Sequence, residues 1–178
     1  MEEKNIKTRM RFVKTGSIRF IGHLDLLRFF QKAIRRAGLD VEYSKGFSPH
    51  QLIGFASPLG VGMTTDGDYL DIVFKSLPSD STEIIKRLNL CLGDEVFITD
   101  IEYMPKGFKN SMSLLNRADY MVTAKKPENL PEGYKELFDE FMKSSTIPVI
   151  KKTKKSEKMI DLKPEIFAYA YDIKDFEN

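Results

Sequence analysis

Two hydrophobic periods take turns along the chain, and their order gives the first outline of a fold. Ile6 to Val13 alternates, with Thr8, Met10 and Phe12 on one side and Lys7, Arg9 and Arg11 on the other, which predicts a strand with one buried face. From His23 to Ala37 the period changes to three and four: Leu24, Leu27, Phe30, Ala33, Ile34 and Ala37 predict an amphipathic helix. Gly22 precedes it, Asp25 places a carboxylate in its first turn and Gly38 stops it. Further strands are expected at Val41 to Tyr43, at Gln51 to Leu59 with Pro58 ending it and Gly54 marking a bulge, and at Tyr69 to Phe74. Ser79 and Ser81 offer caps to a second helix, Thr82 to Leu92, with Ile84, Ile85, Leu88 and Cys91 or Leu92 inward. Val96 to Tyr103 closes the series as a strand, with a shifted pair at Ile101 and Tyr103.

The order β-α-β-β-α-β predicts an α+β fold of the ferredoxin-like type, two helices on one face of an antiparallel sheet. A turn-rich connector follows at 105–117, containing PKGFKNS. A second series then begins with a strand at Ala118 to Ala124, a helix at Pro131 to Ser144 turning Tyr134, Leu137, Phe138, Phe141 and Met142 inward, and a strand at Ile147 to Lys152. A basic hairpin tip, KKTKKSEK, precedes strands within Met159 to Ile173. The expected architecture is a tandem of ferredoxin-like halves, 1–104 and 118–178. The second half is expected to be incomplete, either because the architecture stops there or, the favoured reading, because the chain is truncated, and an edge left open in it could pair with another chain.

Composition narrows the classes. With 178 residues and 42% hydrophobic side chains the chain can bury a substantial core. No apolar run reaches the roughly 18 residues that span a bilayer, and MEEKNIKTRM has no signal-type apolar region, so a cytoplasmic location with no membrane role is the default expectation. The net charge of +2 conceals an excess of six positive charges in residues 1–50 and of six negative ones in 66–103. A local anion site therefore fits better than a generally basic protein. Cys91 is the single cysteine, so no disulfide, thiolate zinc site or iron–sulfur cluster can be built from this chain alone. Gly60-Val61-Gly62 has neither the following Gly-Lys-Ser/Thr nor the spacing of a nucleotide fingerprint, and reads as a flexible connection.

Candidate chemistry concentrates between Arg19 and Gln51. Arg28, Lys32, Arg35 and Arg36 share a helix face with no acid between Leu26 and Leu39. Ser44-Lys45-Gly46-Phe47-Ser48-Pro49-His50 packs hydroxyls, an amine, an aromatic ring and an imidazole into seven residues. The candidate substrate-binding set is His23, Asp25, Arg28, Lys32, Arg35, Tyr43, Ser44, Lys45, Phe47 and His50. The cations would neutralise phosphates, and Tyr43 and Phe47 would stack on unpaired bases. Lys151, Lys152, Lys154 and Lys155 would extend that track. Read as an enzyme, the same set offers His23 or His50 as general acid or base and Lys45 as a charge stabiliser. His23, Asp25 and His50 are enough for a catalytic ion but lack a diagnostic spacing.

The strings MRFVKTGSIRFIGHLDLLRFFQKAIRRAGL, YSKGFSPHQLIGFASPLGVG and GDYLDIVF resemble the radical SAM-linked protein family, most densely from Met10 to Phe74. HLD at 23–25 and YSKGFSPH at 43–50 align with that family's characteristic strings. The resemblance implies a non-catalytic accessory domain that holds a substrate, RNA in the leading reading, for a radical SAM protein, with the cluster and SAM residing only in that partner. Two alternatives stand beside it. A metal-independent endoribonuclease is one, by likeness to the CRISPR-repeat-processing enzymes, although their C-terminal glycine-rich loop is missing. A purely protein-interaction module is the other.

Overall fold

The computed structural model describes residues 5–153, 156–172 and 174. The chain is a mixed α+β protein with antiparallel sheets, and it divides into two units, Met1–Asp119 and Tyr120–Asn178. Among the described residues no helix is long and apolar enough to cross a membrane.

In the first unit, β1 (Ile6–Lys14) leads through a 3-10 turn to α1 (His23–Arg36), β2 (Asp40–Val41), β3 (Ile53–Phe55) and β4 (Thr65–Ser76). It continues with α2 (Ser81–Leu92), β5 (Val96–Tyr103) and a short α3 (Ser111–Leu114). The sheet order is β2-β4-β1-β5, with β3 also on β4, and all pairings are antiparallel. Alternation puts Met10, Phe12, Leu70, Ile72 and Phe74 on one face, where they meet Leu26, Phe30, Ala33 and Ile34 of α1 and Ile84 and Leu88 of α2. Phe12, Phe30 and Phe55 meet edge to face at 5.3–5.5 Å.

Several expectations shift in register. The buried stripe of α1 runs through Leu26, 1% exposed, and not through Leu24, 64% exposed. Leu26, Phe30, Ala33, Ile34 and Ala37 share one face, from which Leu24 is rotated by two positions. Asp80, not Ser79 or Ser81, caps α2, accepting the Thr82 N–H at 2.8 Å. Cys91 is only partly buried. Gly54 pairs in regular register with Asp71 and makes no bulge. In β5 the register slips opposite Arg11/Phe12, so Ile101 returns inward beside Met10. Tyr103 stays half exposed.

The connector after β5 folds back on the outer sheet face. The Ser111 N–H donates to Asp71 Oδ2 at 2.6 Å, and Asp71 pairs with Arg9 at 2.9 Å. Arg9 in turn lies over the Phe108 ring. Arg87 of α2 closes the other end of α1 by donating to the Ala37 and Gly38 carbonyls.

The second unit contains α4 (Tyr134–Met142) and a hairpin of β6 (Pro148–Lys152) and β7 (Glu157–Asp161). The expected strand at Ala118 to Ala124 does not form: Tyr120, Met121 and Val122 are exposed and no strand pairs with them. After β7 a 3-10 turn and irregular chain replace the further strands. Of the α4 residues expected inward, Met142 is buried while Tyr134, Leu137, Phe138 and Phe141 are exposed, because a two-stranded hairpin offers too little surface to cover them.

Candidate functional site

The expected strands Val41 to Tyr43 and Gln51 to Leu59 are two pieces of one interrupted edge strand. β2 pairs with the Phe74–Ser76 end of β4 and β3 with Leu70–Ile72, both antiparallel and in line. Between them the chain leaves the sheet, and the base of the excursion is sewn shut. Glu42 N–H reaches the Val73 carbonyl at 2.8 Å, Leu52 N–H the Glu42 carbonyl at 2.8 Å, and Ser44 N–H the His50 carbonyl at 2.8 Å. Tyr43 and Gln51 form a bridge above them. Gly46 turns the tip with φ 120°, which a side-chain-bearing residue adopts only under strain.

Gln51, 4% exposed, fastens this loop to the helix: its Nε2 donates to the Gln31 carbonyl at 3.3 Å and to the Tyr43 hydroxyl at 3.4 Å. Gln31 lies three residues after Arg28 and four before Arg35, so the loop base is held against the helix face that carries the cations. Lys32, Arg35 and Lys45 are exposed and have no acidic partner among the described residues. Phe47 is fully exposed at the tip, and Tyr43 is part exposed at the base. Lys45 and Lys106 line an open recess with Glu42, Tyr43 and Ser44.

Two of the four helix cations differ from expectation. Asp25 neutralises Arg28 at 3.0 Å from just ahead of the stripe, in a pair so exposed that it is worth ~0–1 kcal/mol. Arg36 is committed to the Cys91 carbonyl. The two histidines have different partners. The His23 ring packs edge-on against Phe55 at 5.3 Å, whereas His50 stays on the loop with Nδ1 2.8 Å from Ser44 Oγ. With Asp25 turned to Arg28, the three do not gather, and among the described residues no group of three His, Cys, Asp or Glu could hold a metal ion. Lys151 and Lys152 lie on β6 in the second unit, and Lys154 and Lys155 lie outside the described residues.

Sequence reasoning passed over Gln51, Lys14 and Asp68. Gln51 gave no signal beyond its place beside an apolar run. The other two carry a readable one: Lys14 shares the parity of Met10 and Phe12, and Asp68 that of Leu70 and Ile72, so both charges fall on the buried face.

Fold and site together define an α+β protein whose edge loop is tied to its first helix, with exposed cations on both. The chain belongs to the family described as an uncharacterized protein conserved in bacteria, DUF2344, whose model matches residues 7–176. No curated protein matches it.

Proposed function

We propose that this chain is a non-catalytic, RNA-binding accessory protein that presents substrate to a radical SAM enzyme. The observation that carries the RNA reading is the Gln51 bridge, which ties the loop bearing Lys45 and Phe47 to the helix bearing Lys32 and Arg35 and so supports reading them as one surface. Cations attract the phosphate backbone without regard to sequence, and a bare aromatic ring accepts any unpaired base, so the surface suits single-stranded or looped RNA. The strand order β5-β1-β4-β2/β3, with α1 and α2 as the crossovers, supports a ferredoxin-like reading of the first unit.

The radical SAM association rests on the strings at 10–74. The single cysteine is consistent with a cluster held by a partner, since three thiolates are needed to ligate one. Filter binding to a structured RNA with single-stranded loops, at two salt concentrations, tests the RNA part. Affinity should fall as salt rises. Replacing Lys32, Arg35 and Lys45 together should reduce the log–log salt slope by about 2, at ~0.7 for each phosphate no longer neutralised. Phe47→Ala should weaken binding by about 1–3 kcal/mol without changing that slope. Binding that is absent at low salt, or indifferent to salt, would sink the reading. Co-purification of a radical SAM protein, stable to nuclease, tests the partner separately.

A further inference from the structure

The first turn of α1 plays no part in the surface described above, yet two of the four buried, unpartnered side-chain atoms among the described residues, on His23 and Asp68, belong to it and to the strand beside it. No side chain caps this 14-residue helix, whose N-cap is Gly22; the Asp25 N–H donates to the Gly22 carbonyl at 3.1 Å, and the His23 and Leu24 amides lack the side-chain acceptor that such turns recruit. Asp68 is 9% exposed and lies on the helix-facing side of β4, opposite Phe12. Its Oδ1 accepts the Tyr69 N–H at 2.7 Å, but its Oδ2 is buried without a partner. The carboxyl senses His23, the first residue of α1, whose Nδ1 is also buried and unpartnered. Lys14 is fully buried on the neighbouring strand, and its ammonium finds one acceptor among the described residues, the Arg19 carbonyl at 3.4 Å.

That carbonyl also accepts the Gly62 N–H, at 2.7 Å. The Gly60-Val61-Gly62 loop therefore crosses the place where the Lys14 side chain ends. It also covers the helix start, since a Cβ on Gly22 would stand 3.9 Å from Val61 Cγ2. Burial holds the Asp68 carboxyl above its ordinary range, opposed by the Tyr69 N–H and by His23, and holds the Lys14 ammonium below its own.

Buried polar groups are nearly always paired, and exceptions collect where a ligand belongs. The deficits here are complementary in kind. Asp68 Oδ2, and His23 Nδ1 in its Nε2-protonated tautomer, are acceptors that lack donors. Lys14 and the His23 and Leu24 amides of α1 are donors short of an acceptor, and a helix start favours an anion. Two adjacent hydroxyls and one phosphate would answer both deficits. We infer that the first turn of α1, with Lys14, His23 and Asp68 beneath the Gly60–Gly62 loop, is a binding site for a phosphorylated vicinal diol of ribose-phosphate size. The hydroxyls donate to Asp68 and His23, the phosphate meets Lys14 and the helix start, and the loop lifts by releasing Gly62 from Arg19. Exposed Phe20, Leu24 and Val61 beside it offer apolar surface to the sugar ring.

Calorimetric titration of the full chain with ribose 5-phosphate, with ribose and with inorganic phosphate tests this site apart from the RNA surface. Ribose 5-phosphate should bind at least about tenfold more tightly than either fragment. Asp68→Asn and Lys14→Met should each weaken it about tenfold or more, while Phe47→Ala leaves it unchanged. Thermal melting checks that each variant is folded; if Lys14→Met does not fold, the three-ligand comparison and Asp68→Asn still decide. The inference is overturned if ribose 5-phosphate gives no heat with the parent chain, if phosphate alone binds equally well, or if Asp68→Asn binds like the parent. An effect of Phe47→Ala as large as that of Asp68→Asn would move the ligand to the other surface and overturn it equally.

Discussion

The two units use similar side chains with opposite results. In the first, Phe12, Phe30, Phe55 and Phe74 are buried between sheet and helices. In the second, Phe138 is 42% and Phe141 50% exposed, and Met142 and Ile147 are the only buried hydrophobic residues described. The difference lies in sheet width. Four lines of strand with two helices enclose a core, whereas a two-stranded hairpin and one helix have no interior to give. The second unit partly compensates with polar ring contacts: Tyr169 and Tyr171 both donate to Asp139 Oδ1, at 3.0 and 2.7 Å, and both rings lie edge-on to Phe138.

Truncating a phenylalanine in each unit should separate them most sharply. Phe30→Ala opens a cavity among Phe12 and Phe55, and should destabilise the first unit by about 3–5 kcal/mol. Phe138→Ala removes a ring that is already half in water and should cost about 1 kcal/mol. Denaturant unfolding followed by unit-specific probes measures both; equal costs would mean that the second unit has a core after all. Next in size is the Arg9–Asp71–Ser111 link on the outer sheet face. Asp71→Ala strands an Arg9 side chain that is 13% exposed and frees the Ser111 amide, which should cost about 2–4 kcal/mol. Arg9→Met leaves the buried Asp71 carboxylate with the Ser111 N–H and no counter-charge, and should cost a similar amount.

Most of the first unit can be read from residues, because each of its elements has a period and a stop. The long strands and both helices follow from alternation and from Gly38 and Gly93, and the basic face follows from spacing alone. What sequence could not supply were long-range facts. That β2 and β3 are one strand with an excursion depends on hydrogen bonds to β4, thirty residues ahead. Likewise the partners of His23 and His50, Phe55 for one ring and Ser44 for the other, are long-range or loop contacts that no spacing announces. In the second unit the pattern misleads, since the apolar residues of α4 have helical spacing but no sheet broad enough to receive them.

A pH series tests a turn that the first unit holds by charge. Glu95 accepts the Ser17 N–H at 2.9 Å, the Ser17 hydroxyl at 2.7 Å and the Ile18 N–H at 3.1 Å, and these bonds hold its carboxyl below the ordinary 4.5. A carboxyl depressed on folding contributes stability above its unfolded pKa and loses it as pH falls through the folded value. Melting temperatures of the parent and Glu95→Gln should therefore differ near neutral pH and converge as the pH falls below the ordinary carboxyl range. A gap that persists into acid would show that Glu95 acts through shape and not through its charge.

The smallest effect should come from the hairpin of the second unit, and it has the opposite sign. Lys151 and Lys158 stand directly across the β6–β7 ladder, while their neighbours Lys152 and Glu157 form an ion pair at 2.9 Å. Like charges facing one another across a ladder destabilise it by roughly 0.2–1 kcal/mol, so Lys158→Glu should stabilise the hairpin by about 0.5 kcal/mol. If the hairpin also touches RNA phosphates, the same change should weaken filter binding and lower the salt slope, trading affinity for stability. Gain in stability with RNA binding untouched would leave the facing lysines as an unrelieved local cost and confine the proposed nucleic-acid surface to the first unit.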